Sequence, residues 1–294
     1  MARTLGPRDI GGILGDTFRI YGSNFLRLIA VIAIVYVPLV ILGAVRLYWG
    51  LGVSFVGYLL PSPYPSWTGT STVLIIVEVT SAIVSFVAGV LMAGAAMHAV
   101  SQQHLGLRIR VARAYRFALK RLGPMLGGSV LYGLAVVTMA ITLVGIPAAV
   151  YFGVRWGFVQ EAALLEGLGP RAALSRSSTL VKANWWRVFG ITVVVSLIAG
   201  GGSALLILIP ASLVGVWFAV SGTATLAGLM ATSTVVVIVA EVLFLPIFAT
   251  AGMLLYYDLR VRKEGYSLDE LASELQLATG GGVPLQGMDG SAGP

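Results

Sequence analysis

Positive charge is distributed very unevenly along this 294-residue chain. Seventeen of its 19 Lys and Arg residues fall in four short clusters, at 3–27, 108–121, 171–187 and 260–263, and long uncharged stretches separate them. Basic residues of membrane proteins concentrate in the loops on the cytoplasmic side. The pattern therefore predicts a chain that crosses a membrane several times and keeps all four clusters on one face.

The composition excludes several other classes of protein. Hydrophobic residues make up 57% of the chain and charged residues 11%, whereas soluble domains carry about 25% charged residues. The net charge of +7 lies beside apolar stretches, so we interpret it as setting orientation and contacting anionic lipid headgroups, with no nucleic-acid partner. The chain has no cysteine, which excludes disulfides, thiol nucleophiles and Cys-ligated metals. No cofactor is predicted.

The apolar stretches predict six transmembrane spans. A spanning helix needs about 20 mostly apolar residues, and the stretches 28–45, 72–100, 125–144 and 148–165 meet that requirement, with a tight turn at 145–147. The stretch 188–257 has one charge, Glu241, and room for two spans or three. Because the basic clusters on either side of it should share one face, the number must be even, so we predict spans at 188–209 and 230–257.

The predicted fold class is therefore all-α: a polytopic membrane helix bundle with six transmembrane helices and both termini cytoplasmic. We expect a multi-pass protein of the cell's inner (plasma) membrane. The segments 46–71 and 210–227 are predicted to be external, without an assigned structure, except that 210–227 is a loop or a re-entrant piece.

A short amphipathic stretch precedes each pair of spans. An apolar stripe with a basic opposite face is typical of a helix that lies in the headgroup plane. The three stripes consist of Ile10, Ile13, Leu14, Thr17, Phe18 and Tyr21; of Val111, Ala112, Tyr115, Ala118, Leu119 and Leu122; and of Leu174, Ser177, Leu180, Val181, Asn184 and Trp185.

We interpret these stretches as parts of three similar units, at about 8–105, 107–168 and 169–264, within one membrane domain at 1–271. Each unit is an amphipathic helix followed by a membrane hairpin. Asn24-Phe25-Leu26-Arg27 and Asn184-Trp185-Trp186-Arg187 enter their spans alike. A short cytoplasmic helix at 265–278 and a disordered tail at 279–294 complete the predicted organisation.

Three short motifs at the predicted membrane edges resemble a known family. They are the sequence at 14–21 with Asn24-Phe25, Glu166-Gly167 with 173–177, and 255–260 continuing through 263–265. The chain resembles the integral membrane domain found fused to some bacterial glycerophosphoryl diester phosphodiesterases, over about 9–271. That domain often occurs without an enzyme. A phosphodiesterase barrel needs about 250 residues of its own, so the resemblance implies a membrane fold and no activity.

Four charged residues lie inside predicted spans: Glu78, Arg155, Glu161 and Glu241. Glu78, Arg155 and Glu241 are the most suggestive of function and form the candidate cluster. A charge at the bilayer centre costs about 2.5–3.5 kcal/mol on insertion scales, and such residues usually pair or line a polar path. Two interpretations remain open for this candidate cluster: an Arg–Glu contact that locks hairpins together, and a path for protons, ions or polar headgroups. His98 and His104 are predicted to be solvated at a helix end, with no metal site.

The candidate headgroup contacts are basic residues at the cytoplasmic edge: Arg110, Arg113, Arg116, Lys120, Arg121 and Arg187. Together these features predict a non-catalytic membrane protein that organises lipids, or a membrane protein partner, at the cytoplasmic leaflet. The alternative is a transporter or channel for a small solute or ion that uses the intramembrane charges. An enzyme is not predicted, because no convergent nucleophile and base are visible.

Overall fold

A computed structural model describes residues 9–59, 67–221, 226–265 and 270. All of the regular secondary structure in these ranges is helical. The helices are α1 (Ile10–Ser23), α2 (Phe25–Leu59), α3 (Trp67–His104), α4 (Val111–Lys120), α5 (Leu122–Ala140), α6 (Ile146–Arg155), α7 (Val159–Leu165), α8 (Pro170–Val181), α9 (Trp185–Val195), a π-helical turn (Ser196–Gly200), α10 (Gly201–Ser221) and α11 (Leu226–Glu264).

Within the described residues, five helical stretches are long and apolar enough to cross a membrane. They are Phe25–Gly43, Ile75–His104, Leu122–Ala140, Trp185–Trp217 and Val235–Glu264. The prediction of an all-helical chain with several apolar helices of spanning length is therefore confirmed. The stretch 188–257 contributes two such helices, as the parity of the basic clusters requires.

The fourth predicted span is not one helix, because 148–165 is divided between α6 and α7. The backbone groups at the break find partners on α8. The Ser177 hydroxyl donates to the carbonyl oxygen of Arg155 at 2.9 Å and accepts from the N–H of Phe158 at 3.1 Å. A buried backbone group without a partner is costly, so this serine allows the interruption to persist.

The segments predicted to be external are largely helical. Helix α10 continues through Pro210 to Ser221, so a loop at 210–221 is wrong, whereas the re-entrant alternative stays a prediction. Similarly, α2 extends to Leu59 and α3 begins at Trp67. A helix satisfies its own backbone groups in an apolar environment, which explains why these apolar residues extend the helices. Residues 60–66 and 222–225 lie outside the described part.

Helix α11 is the central element of the bundle, and it packs against α1, α2, α3, α9 and α10. Its most deeply buried part includes Met253, Leu254, Tyr256 and Tyr257. The Tyr257 hydroxyl donates to Ser101 Oγ on α3 at 2.8 Å. A polar contact therefore joins two of the longest helices inside the core.

Helices α1, α4 and α8 overlap the three predicted amphipathic stretches, and each of them buries one face against a neighbouring helix. Helix α1 packs on α11, α4 on α3, and α8 on α5 and α7. The buried residues of α4 are Ala114, Phe117 and Ala118, whereas Leu119 is 59% exposed. The stripe predicted for α4 is therefore partly wrong, because Ala114 and Phe117, which it did not include, are buried, and Leu119, which it did include, is exposed.

The histidines are buried, so the prediction that they are solvated is wrong. His98 is 1% exposed and stacks on Phe117 with ring centres 4.1 Å apart. His104 is 6% exposed and stacks on Tyr257. Helix α4 folds back along the end of α3 and covers His98, while α11 covers His104. The helix predicted at 265–278 and the tail at 279–294 lie outside the described residues, apart from Gly265 and Glu270.

Candidate functional site

The structure does not bring Arg155 together with either glutamate of the predicted cluster. Glu78 is exposed on α3 and Glu241 is partly buried on α11. Among the described residues, no carboxylate lies within ion-pair distance of Arg155. Its Nη1 instead lies 3.4 Å from the hydroxyl of Tyr151, and its guanidinium carbon is 5.9 Å from the centre of that ring.

The predicted headgroup contacts divide into two groups. Arg110, Arg116 and Lys120 are exposed and Arg113 is partly exposed. By contrast, the guanidinium of Arg121 lies against Gly167, where a side chain would overlap it. Arg187 donates from Nη2 to the carboxylate of Asp258 at 2.9 Å. The first group is open to solvent or headgroups, while the last two residues also hold elements of the bundle together.

Arg187 lines a groove of about 820 Å³ that combines cations with aromatic rings. We call it the basic–aromatic groove. Trp186 is 78% exposed beside it, and Trp185 stacks on Tyr151 with ring centres 5.6 Å apart. The groove lies between the start of α6 and the junction of α8 with α9, and its lining comprises Pro147, Val150, Tyr151, Lys182, Ala183, Asn184, Trp185, Trp186 and Arg187.

The turn between α5 and α6 lies near this groove. The indole N–H of Trp185 donates to the carbonyl oxygen of Tyr151 at 3.0 Å. Tyr151 is six residues after Gly145, which is a rise of about 9 Å along a helix. Pro147 lines the groove directly. The sequence prediction placed this turn and the Lys182–Arg187 segment on opposite sides of the membrane, which about 30 Å of hydrocarbon would separate.

A second cavity contains a buried acid that the sequence analysis did not single out. Glu161 on α7 is 6% exposed, and its Oε2 has no hydrogen-bond partner among the described residues. It lines a cavity of about 320 Å³ between α5, the α6–α7 break, α9 and α11. An unpaired buried carboxylate is energetically costly. Glu161 lies in the apolar stretch 148–165, and nothing in its local sequence shows that α9 and α11 enclose it.

Between α7, α8 and α11 lies an ionic cluster. Arg176 Nε donates to both carboxylate oxygens of Glu166, at 2.8 and 2.9 Å, and its Nη2 donates to Glu264 at 2.7 Å. Arg260 Nε lies 3.7 Å from Glu166 Oε1, and the Tyr256 hydroxyl donates to the same carboxylate. The hydrogen bond with Glu264 raises the pKa of Arg176 above its usual range. Partial burial opposes this shift, and the interactions with Glu166 add to it.

This ionic cluster joins residues from two of the three motifs on which the resemblance rests. Glu166 and Arg176 belong to one motif, and Tyr256, Arg260 and Glu264 belong to another. Two carboxylates face two guanidiniums, so the cluster is nearly neutral. The cluster therefore joins neighbouring helices, because each charge in it already has a partner of opposite sign.

No protein-family model, no curated protein and no solved structure matches this chain. Among the described residues, no group of three or more His, Asp or Glu side chains could hold a metal ion.

Proposed function

We propose that this protein is a non-catalytic, multi-pass membrane protein that binds anionic lipid headgroups at the cytoplasmic leaflet and organises lipids or a membrane protein partner there. The observation that carries the proposal is the basic–aromatic groove. Tryptophan favours the membrane–water interface and cations attract lipid phosphates. Trp186 and Lys182 provide both features at the rim of one depression.

Two cations line the groove directly. Lys182 is exposed, and Arg187 is partly exposed and donates to Asp258 at 2.9 Å. A phosphate bound in the groove would approach both cations. In the ionic cluster, by contrast, two carboxylates face two guanidiniums, so the cluster is not proposed as a lipid site.

The proposal includes a topology. The turn between α5 and α6 would lie on the same side of the membrane as the groove, because it is so close to Trp185, and α5 would therefore not cross the membrane. The other four apolar helices would cross, which leaves both termini cytoplasmic. The basic clusters on α4 and α8 would then lie on one face, and α1, α4 and α8 would be the first helices of three related units. The resemblance to the phosphodiesterase-associated membrane domain belongs to this proposal.

The test compares lipid retention in purified variants. The wild type, the double variant Lys182→Ala/Trp186→Ala and the control Arg171→Ala are extracted from membranes and analysed by native mass spectrometry. Arg171 is an exposed cation on α8 outside the groove. We expect phosphatidylglycerol to remain on the wild type and the control, and to fall at least fivefold in the double variant. Equal retention by all three proteins would overturn the proposal.

A transporter is the second candidate function. Interrupted helices line the binding sites of many transporters, and the described residues contain interruptions between α6 and α7 and at the π-helical turn Ser196–Gly200. π-helical turns are frequent at functional sites. Solute flux in proteoliposomes that disappears in Glu241→Gln or Glu78→Gln would favour this candidate over lipid organisation.

A further inference from the structure

We propose that the cavity beside Glu161 binds a small organic ammonium ion, with the carboxylate as the counter-charge. This site is separate from the basic–aromatic groove and does not depend on lipid binding. Glu161 lines the cavity, and its carboxylate oxygen Oε2 is fully buried without a hydrogen-bond partner among the described residues.

The electrostatics of the cavity favour a cation. Glu161 is the only charged side chain among the described residues that line it. Arg155 is absent from the lining and contacts Tyr151. An anion would therefore be repelled, and a cation would neutralise the buried acid.

The chemistry of the walls favours an organic cation over a metal ion. Calcium takes six to eight oxygen ligands, whereas this lining offers one carboxylate and the hydroxyl groups of Tyr132 and Thr192. The aromatic side chains of Tyr132, Phe158 and Phe248 are also part of the lining. Aromatic rings together with a counter-charge are the features that recognise alkylammonium groups. The volume of about 320 Å³ is at the lower end of known ligand pockets.

The carboxylate is held against the backbone of α11. A Cβ at Gly252 would lie 3.3 Å from Glu161 Oε1, so the acid lies directly against a glycine. On α7, the neighbouring Gln160 donates to Ser129 Oγ on α5 at 2.9 Å. These contacts orient the helix turn that carries Glu161 beside the cavity.

The test uses tetramethylammonium chloride as the probe, with sodium chloride at equal ionic strength as the reference. Thermal unfolding in detergent is measured for the wild type, Glu161→Gln and the control Glu241→Gln, which changes a partly buried acid outside this cavity. We expect tetramethylammonium to raise the melting temperature of the wild type and of Glu241→Gln in a saturable manner. The half-saturating concentration should rise at least tenfold in Glu161→Gln.

A second measurement needs no variant and covers the case in which Glu161→Gln does not fold. Wild-type protein is treated with a hydrophobic carbodiimide, which modifies buried carboxyl groups, and the peptide that contains Glu161 is quantified by mass spectrometry. We expect tetramethylammonium to slow this modification at least fivefold and sodium to leave it unchanged. The inference is overturned if tetramethylammonium stabilises the wild type and Glu241→Gln no more than sodium does. It is also overturned if the probe does not protect Glu161 from modification.

Discussion

Arg187 and Asp258 form an ion pair of 2.9 Å although 71 positions separate them in the sequence. The side chain of Asp258 is completely buried, whereas that of Arg187 retains 21% of its exposure. The pair fixes the start of α9 to the end of α11. The same carboxylate also accepts from Arg262 at 2.9 Å, so Asp258 pairs with two guanidiniums.

Removing this carboxylate should weaken the fold. Asp258→Ala leaves two partly buried guanidiniums near each other without their shared counter-charge, and we expect a loss of about 2–4 kcal/mol of unfolding free energy. Denaturant unfolding in detergent measures it. In Asp16→Ala, the lost pair involves Arg19, whose side chain is 58% exposed, so the expected loss is below about 1 kcal/mol. Equal losses of unfolding free energy in the two variants would show that the buried pair stabilises the fold no more than the exposed pair does.

The proposed placement of the α5–α6 turn can be tested with single cysteines, because the chain has none of its own. We expect a membrane-impermeable maleimide to label Thr142→Cys, in the turn after α5, from the same side as Lys182→Cys. Val220→Cys, near the end of α10 and 83% exposed in the structure, should be labelled from the other side. Labelling of Thr142→Cys together with Val220→Cys would restore the six-span arrangement.

Ser177→Ala should destabilise the protein by about 1–3 kcal/mol, because it leaves the Phe158 N–H and the Arg155 carbonyl without their partner at the helix break. The matched control is Ser175→Ala on the exposed side of the same helix, for which we expect a change within about 0.5 kcal/mol. Thermal melting of both variants decides the point. A Ser177→Ala protein as stable as the control would mean that the break is satisfied in another way.

Gly167→Ala should cost about 1 kcal/mol or more. Gly167 has a φ of +66°, and a methyl group there would also displace Arg121. Gly123 is the comparison, since nothing lies within 4 Å of a Cβ at that position and it is helical. Gly123→Ala should therefore be neutral or slightly stabilising. The difference between the two melting temperatures is the measurement.

Alkaline pH should reveal the burial of Tyr115. Burial raises the pKa of this phenol to about 12, above its usual value of about 10 in an unfolded chain. Its stabilising contribution is fully present below pH 10 and is lost as the pH rises toward 12. Between these values the melting temperature of the wild type should fall more steeply than that of Tyr115→Phe. Parallel slopes would contradict this assignment.

The buried acid Glu161 illustrates what could not be predicted from the sequence. Its stretch was recognised as apolar, but the enclosing residues belong to α9 and α11, which follow it in the chain by at least 20 positions. The same holds for His98, which is buried because α4 folds back over it. Local patterns do not contain the identity of a distant packing partner.

The sequence by itself determined that the chain is an all-helical membrane protein and where most of its apolar helices lie. Those properties depend on the transfer free energy of each residue and on the spacing of charges, which are local quantities. Only the tertiary structure decided that the fourth apolar stretch is broken, that Arg155 meets Tyr151 and neither predicted glutamate, and that Trp185 reaches Tyr151. Such contacts depend on how helices from distant segments pack, because a side chain's burial and partners are set by its neighbours in space.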